Sequence, residues 1–324
     1  MGKLTCRENY SPMKKRSIFY LLAVVVILII SQVFILSSST DNEENNYLND
    51  FKEDYAVYAV DLPEEMNFAG ENVPLKQFDV KESLDREILV NTYFQSQTLL
   101  FLKKYTRYIP VVEPILIEEG IPIDFKYLPF VESGYSNVTS PANAVGYWQF
   151  LNGTAREYNL EVNSEIDERY HLEKSTRAAC QFLKESYEKY GSWTLAAASY
   201  NMGRSRLSSE LGRQKVDSYY NVLLNEETAR YVYRILAIKQ ITENPELYGF
   251  HYRVKDLYKR IPTKKVQVDT AVVHFADFAA DYGINYKELK LYNPWLRNHF
   301  LTNKSGKTYT IEIPLEGYRK IDLE

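Results

Sequence analysis

The sequence predicts a mainly α-helical protein, in which an N-terminal transmembrane helix precedes a helical domain over residues 84–250 and a small α+β module over residues 251–324. Three observations predict this fold class. Apolar residues recur at three- and four-residue steps from residue 84 to residue 245, two stretches near the C terminus alternate like strands, and residues 17–36 carry no charge. The 324 residues are 45% hydrophobic, enough for a full core.

Residues 17–36 form an apolar stretch of about the length that crosses a bilayer. Three basic residues at 14–16 precede it, so we expect the flank 1–16 in the cytoplasm and the remainder of the chain beyond the membrane. The apolar region of a cleaved signal peptide is usually about 7–15 residues long. A retained anchor is therefore favoured over a cleaved signal, for which Ser37, Ser38 and Ser39 are a weak cleavage site.

The part of the chain after residue 36 is acidic. The whole chain has 39 basic and 43 acidic residues, and because five of the basic and one of the acidic residues lie before residue 37, the remainder carries a net charge of −8. This charge argues against nucleic acid as a partner. Cys180 is the one cysteine after the apolar stretch, and the four histidines lack metal-ligand spacing, so the sequence predicts neither a disulfide nor a metal or cofactor.

The chain between the anchor and the helical domain, residues 37–83, is polar and acidic at first and is predicted to be a tether. A helix is predicted from Leu84 through Leu102, and a second from Val111 to Glu119. Asp124 is a possible helix cap ahead of Phe125–Glu132. A turn-rich stretch follows, and then come four predicted helices with a variable stretch at 205–217 before the last: Thr154–Tyr158, Leu172–Tyr190, Thr194–Asn201 and Glu226–Thr242.

Glu132 is the candidate catalytic residue. Leu128, Phe130 and Val131 surround it in the sequence, and an apolar setting raises the pKa of a carboxyl so that it holds a proton near neutral pH. A general acid at a glycosidic oxygen needs this property. The acids Glu157, Asp167, Glu168 and Glu173 are predicted to be solvated or capping residues, and no motif places any of them opposite Glu132.

Four motifs follow one another in the sequence: Leu128–Ser133, Thr139–Phe150 with Gly153–Arg156, Ala198–Gly203 and Glu226–Val232. On these motifs, residues 85–248 resemble the soluble-lytic-transglycosylase catalytic domain, related to goose-type lysozyme, and within that family the membrane-bound lytic murein transglycosylase D group. The resemblance implies a lysozyme-like helical fold.

The resemblance implies a role for each motif residue. Glu132 would be the sole catalytic acid and base, with Ser133 and Ser140 as polar supports near its carboxyl. The other residues expected to bind substrate are Gln149 at N-acetyl or hydroxyl groups, Tyr147 and Trp148 in the groove wall, Tyr200 and Asn201 at the cleavage point, Glu227 as a further sugar contact, and Tyr231 in the floor near Glu132.

The C-terminal module alternates like strands at Val266–Val268 and Thr308–Ile313, which bracket two predicted helices, Phe275–Tyr282 and Tyr286–Tyr292. This order is similar to a lysin motif, a glycan-binding module. The match is degenerate, because Val268-Asp269-Thr270 replaces the usual opening and an insertion spans 295–305. Peptidoglycan binding and a purely structural role both remain open for the module.

The resemblance implies a peptidoglycan lytic transglycosylase that cleaves the MurNAc–GlcNAc β-1,4 bond without water and leaves 1,6-anhydroMurNAc ends. A single-acid lysozyme-like hydrolase and a non-catalytic peptidoglycan-binding protein are the alternatives. The expected partners are glycan strands and, through residues 17–36, a membrane. The expected location is the periplasmic face of the inner membrane in the cell envelope, and the expected oligomeric state is a monomer.

Overall fold

The computed structural model describes residues 24–28, 32 and 58–319. The chain divides into two compact units, residues 1–59 and 60–324. In the first unit, residues 24–28 and 32 are helical, and the rest of the predicted anchor 17–36, with its basic flank, lies outside the described residues. No helix within the described ranges is both long and apolar enough to cross a membrane. The anchor therefore stays a prediction.

Helices make up most of the second unit, and the mainly α class is confirmed. Between the helices lie short 3-10 turns, of which Ile123–Tyr127 and Glu168–Tyr170 matter below. A small hairpin pairs β1 (Asn67–Phe68) with β2 (Glu71–Asn72). The helices that follow are α1 (Phe78–Tyr93), α2 (Gln95–Glu118), α3 (Leu128–Ser133), α4 (Asn152–Glu157), α5 (Leu172–Tyr190), α6 (Trp193–Met202), α7 (Arg204–Gln214) and α8 (Glu226–Glu243).

The predicted tether and first helices need correction. Met66, Phe68, Val73 and Val80 are buried in the main core, so residues 66–83 are part of the folded domain and not a tether. Helix α1 begins six residues before Leu84, and the chain breaks at Phe94 before α2. Helix α2 then continues through Pro110 and Pro114, where the sequence predicted a separate second helix.

Two further predictions were wrong for physical reasons. The stretch 205–217, predicted to be variable, is mostly helix α7. Its apolar side consists of two residues, Leu207 and Leu211, which are too few for a helical period to stand out in the sequence. Asp124 caps no helix. Its carboxylate accepts hydrogen bonds from the Ala69 amide at 2.8 Å and from Lys239 Nζ at 2.7 Å, which ties the hairpin to α8.

The C-terminal strands are confirmed as an antiparallel pair, β3 (Thr263–Val268) with β4 (Tyr309–Pro314), in which Val266 pairs with Ile311. Helices α9 (Phe275–Asp281) and α10 (Tyr286–Tyr292) lie between the strands in sequence. The buried residues form two hydrophobic cores. One runs from Met66 to Phe250, and the other joins the C-terminal module to Val145, Ile166 and Tyr170 of the helical domain.

Candidate active site

Glu132 lies near the end of the short helix α3, whose residues Leu128, Pro129 and Phe130 are buried. Gly134 ends this helix in the left-handed conformation, at φ +58°, and a side chain there would collide with the Phe101 ring, 2.7 Å from an added Cβ. The helix is therefore anchored by its apolar side and stops directly after the carboxylate. Glu132 itself is half-buried at the edge of the core.

The surroundings of Glu132 raise the pKa of its carboxyl to about 7. Burial is the largest cause, and the charge of Glu227 adds to it, whereas a hydrogen bond from Tyr231 and the charge of Arg234 act in the opposite direction. The Tyr231 hydroxyl donates to Oε1 of Glu132. Burial raises the pKa of that hydroxyl well above its usual value, so Tyr231 keeps its proton and remains a donor. The predicted rise in the pKa of Glu132 is thus confirmed.

Helix α8 supplies one wall of the site. Asn225 caps its first turn, and Glu227, Tyr231 and Arg234 follow at intervals of four and three residues, which places them on one face. Asn201, at the end of α6, donates through Nδ2 to Glu227 Oε1 at 3.4 Å and accepts at Oδ1 from the Thr228 hydroxyl at 2.8 Å. The motif containing Asn201 and the motif containing Glu227 therefore meet.

Residues 139–150, called the site loop here, supply another part. Ser140 closes a turn in which its Oγ accepts from the Ala144 amide at 3.0 Å. Gln149 has a φ of +51° and donates through Nε2 to the carbonyls of Gly146 at 2.7 Å and Val138 at 3.1 Å. Ser133 Oγ donates to the Tyr147 carbonyl at 2.7 Å, which joins the site loop to the residue after Glu132.

Aromatic side chains form the support behind the site loop. Trp148 is fully buried and donates through Nε1 to Thr176 Oγ1 at 2.9 Å. The Tyr200 hydroxyl donates to the Trp148 carbonyl at 2.8 Å, and its ring packs edge-on against Phe150 and Phe182. The charge of Glu132 contributes to a raised pKa of the Tyr200 hydroxyl, so the two side chains are close enough to interact.

Comparison with known proteins gives two family matches. Residues 121–223 match the family "Transglycosylase SLT domain", and residues 264–317 match the "Soluble lytic transglycosylase C-terminal LysM-like domain". The chain contains a transglycosylase SLT domain. Glu132, the site loop, Tyr200 and Asn201 lie inside the matched SLT range, whereas Glu227 and Tyr231 lie beyond its end.

Relatives in two strains of Escherichia coli resemble the chain. Each is a membrane-bound lytic murein transglycosylase D, one from strain K12 and one from O6:H1 strain CFT073, and each is 29% identical over 200 residues. The match covers 60% of this chain and 43% of each relative, so the chain spans less than half of their length. The 70 kDa soluble lytic transglycosylase of Escherichia coli shares 18% identity, with a TM-score of 0.38 over 55% of this chain and 33% of that one.

The structure brings most of the predicted residues of the SLT domain to one place but corrects two expectations. Trp148 is part of the core and has no exposed surface for a groove wall. Glu168 is buried in an ion pair with Lys174 and is neither solvated nor a cap. Asp167 is a cap, as expected, because its carboxylate accepts a hydrogen bond from the Arg169 amide at 3.2 Å at the start of the 3-10 turn Glu168–Tyr170. Cys180 is buried, and burial raises the pKa of its thiol to about 12.

Sequence reasoning missed Arg234 and Thr228. Arg234 lies three residues after Tyr231, a spacing that puts both on one face of a helix and was a readable signal. Thr228 could be found only once Asn201 was known to lie beside it. Glu87, buried on α1, contacts Arg230 at 2.5 Å and Arg234 at 3.7 Å, and no sequence signal pointed to it. No group of acidic, histidine or cysteine side chains within the described ranges could hold a metal ion.

Tyr231→Phe should move the pH dependence of activity upward. A general acid works in its protonated form, so the rate should fall as pH rises through about 7, the pKa of Glu132. The Tyr231 hydrogen bond lowers that pKa, and its removal should therefore shift this fall in rate to higher pH. A pH–rate profile measures the shift. Tyr219→Phe is the control, because it removes a buried hydroxyl that donates to carbonyls of α8 instead, and an unmoved profile in Tyr231→Phe would contradict the assignment.

Proposed function

We propose that the protein is a peptidoglycan lytic transglycosylase that cleaves the MurNAc–GlcNAc β-1,4 bond and leaves 1,6-anhydroMurNAc ends. One observation carries the proposal. Within an SLT domain, Glu132 is half-buried, its pKa is raised to about 7, and a protonated tyrosine holds one of its two oxygens. A carboxyl with this pKa can donate a proton at neutral pH and accept one back afterwards.

The reaction then needs a single carboxyl. Glu132, with Oε1 held by Tyr231, donates its proton through Oε2 to the oxygen that links the two sugars, and the bond from C1 of MurNAc to that oxygen breaks. The acetamido group of MurNAc stabilises C1. The C6 hydroxyl of the same sugar then attacks C1 and passes its proton to the Glu132 carboxylate. The acid is regenerated, the anhydro ring closes and no water is consumed.

The remaining side chains position the sugars. Asn201 and Glu227, held together at 3.4 Å, present an amide and a carboxylate beside Glu132, as hydrogen-bonding sugar hydroxyls require. The side-chain amide of Gln149 and the hydroxyls of Ser133 and Ser140 are occupied within the site loop and its junction with α3, so we assign them the role of shaping the loop. Tyr147 is buried and takes part chiefly through its backbone.

Location and partners follow from this function. The relatives named above are membrane-bound, and residues 17–36 have the length and composition of an anchor. We therefore place the enzyme in the cell envelope, at the periplasmic face of the inner membrane, as a monomer that acts on peptidoglycan glycan strands.

Product analysis tests the function. Purified sacculi are incubated with the protein, and the soluble fragments are analysed by mass spectrometry before and after borohydride reduction. Anhydro ends are one water lighter than hydrolysed ends and resist reduction, and we expect them as the main product. Sacculi that release no fragments would leave a non-catalytic peptidoglycan-binding protein as the correct account.

A hydrolase is the second candidate function, and the charge of Glu227 near Glu132 is the observation that favours it. Glu227 is exposed on α8 and close enough to Glu132 to raise the pKa of that carboxyl. Most glycosidases use two carboxyl groups. In an inverting glycosidase one carboxyl protonates the leaving group and the other activates a water molecule. In such an enzyme Glu227 would be the base, and the products would have reducing ends.

Glu227→Gln separates the two candidates. If Glu227 acts on Glu132 by charge alone, its loss should lower the pKa of Glu132 and shift the alkaline fall in rate to lower pH, with anhydro products retained. If Glu227 were the base, the rate should instead drop by about 10²–10⁴-fold at every pH. Glu226→Gln is the matched control, because Glu226 is the preceding acid on the same helix and pairs with Arg86 on the surface.

A further inference from the structure

The C-terminal module is joined to the SLT domain by backbone hydrogen bonds. Its partner is residues 161–170, called the docking segment here. The Asp167 amide donates to the Trp295 carbonyl at 2.9 Å, and the Arg297 amide donates to the Glu165 carbonyl at 2.7 Å. These bonds flank a bridge between Ile166 and Leu296. The insertion at 295–305, which made the lysin-motif match degenerate, thus provides the contact.

Side chains reinforce this contact. The Thr302 amide and hydroxyl both donate to the Glu165 carboxylate, at 2.7 and 3.0 Å. Glu161 receives a hydrogen bond from the Tyr309 hydroxyl at 3.0 Å and forms an ion pair with Lys307 at 2.5 Å. The guanidinium of Arg297 lies 4.0 Å from the centre of the Tyr170 ring. Ile166 and Tyr170 complete the module's own hydrophobic core, with Trp295, Leu296, Phe275 and Ile313 among its other members.

The docking segment also holds the site loop. The buried Arg169, fixed by two hydrogen bonds to Asp167, donates to the Phe150 carbonyl at 3.2 Å. The Arg169 carbonyl packs so closely on Gly146 that an added Cβ would lie 2.0 Å from it. Val145, from the middle of the site loop, is buried in the module's core. The contacts therefore run without a gap from the module, through the docking segment, to the loop that Ser133 ties to Glu132.

We propose that the docked module positions the site loop and thereby sets the catalytic rate. Val145 and Ile166 give the physical reason, because separation of the module would expose both apolar side chains to water. The module and loop are consequently held in one arrangement. The inference rests on the proposed function for its kinetic readout. It assigns residues 295–302 and 161–170 as a positioning surface, whether or not the module also binds glycan.

Two leucine- or isoleucine-to-alanine variants of the full chain test the proposal. Leu296→Ala removes a fully buried side chain at the contact, and Ile313→Ala removes one from β4, in the same core but paired with β3. Both are assayed well below the melting midpoint of the less stable variant. We expect Leu296→Ala to lower kcat by about tenfold or more with KM nearly unchanged, since small displacements of positioning groups are costly. Amide hydrogen exchange at residues 139–150 should also become faster.

Ile313→Ala should have the same kcat as the unmodified protein, and amide hydrogen exchange in its site loop should stay as slow as in that protein. An equal loss of kcat in both variants, or a normal kcat and exchange in Leu296→Ala, would overturn the proposal. A second pair avoids the core: Arg297→Ala removes the cation over Tyr170, and Lys264→Ala removes a cation over Tyr282 inside the module. We expect a lower kcat for Arg297→Ala alone. Failure of the proposed function would differ from all of these outcomes, because it is read on the unmodified protein, which would then release either no fragments or fragments with reducing ends.

Discussion

Glu132→Gln should abolish the release of soluble muropeptides, with a fall in rate of at least about 10³-fold. Loss of a general acid or a general base alone costs about 10²–10⁴-fold, and because one carboxyl serves both steps here, we expect the effect to lie in the upper part of that range or beyond it. Glutamine keeps the shape of the side chain and can still accept the Tyr231 hydrogen bond, but it cannot donate a proton. The release of fragments from labelled sacculi gives the rate, and sacculus binding should be retained.

The same variant should be more stable than the unmodified protein at alkaline pH. The folded pKa of Glu132 is about 7 against an ordinary value of 4.5, so folding favours the protonated form. Stability should therefore be unaffected below pH 4.5, decline between pH 4.5 and about 7, and level off above that, with a total loss of at most roughly 3 kcal/mol in the free energy of unfolding. Glutamine does not ionise and escapes this loss. Urea unfolding at acidic and alkaline pH measures the difference.

Glu157→Gln is the control for both measurements, because Glu157 is an exposed acid at the end of α4. It should leave the rate and the pH dependence of stability unchanged. Substantial fragment release by Glu132→Gln would remove this residue from the mechanism. If Glu132→Gln lost activity because it failed to fold, its unfolding curve would show this. We expect Glu132→Gln to be at least as stable as the unmodified protein.

Gly146→Ala should lower both stability and activity. Gly146 has a φ of +82°, which residues with a side chain rarely adopt, and an added Cβ would lie 2.0 Å from the Arg169 carbonyl oxygen and 2.7 Å from its carbon. The obstacle is backbone, so relief requires movement of the site loop away from the docking segment. We expect a loss of roughly 2–4 kcal/mol in the free energy of unfolding and a drop in kcat of about tenfold or more.

Gly153→Ala is the matched control. Gly153 lies in the first turn of α4, and an added Cβ there meets no atom within 4 Å. The substitution should be neutral or stabilise the protein by about 0.4–1 kcal/mol, because alanine restricts the unfolded chain. Thermal unfolding and fragment release are measured on both variants. Similar behaviour of the two would show that the close approach of Arg169 to Gly146 has no role in holding the loop.

The elements that the sequence predicted well are those with a strong apolar stripe. Helix α5 begins and ends where expected, at Leu172 and Tyr190, because serine, alanine and leucine positions alternate with charged ones around its surface. Helix α7 was missed because only two apolar residues, Leu207 and Leu211, face the core, and a pair is too short to reveal a helical period. The hairpin at 67–72 was missed because two-residue strands produce no periodicity, although Phe68 is fully buried.

The sequence predicted those residues of the candidate site that lie in motifs. It did not predict contacts between residues that are far apart along the chain. Glu132, Asn201 and Tyr231 were selected from short sequence patterns. In the structure Asn201 contacts Thr228 on α8, and Tyr231 contacts Glu132. The burial of Trp148 was not predictable, since an aromatic residue in a turn-rich stretch can face either the core or a groove. The docking segment was also hidden, because its partners are more than one hundred residues away along the chain.

The central claim is that one carboxyl, that of Glu132, cleaves the glycan strand without consuming water. Digestion of sacculi in water enriched in heavy oxygen tests it most directly. The account predicts fragments that end in anhydro sugars, are one water lighter than hydrolysed fragments, and carry no heavy oxygen. Fragments with reducing ends that contain heavy oxygen at C1 would contradict it and would identify the protein as a hydrolase.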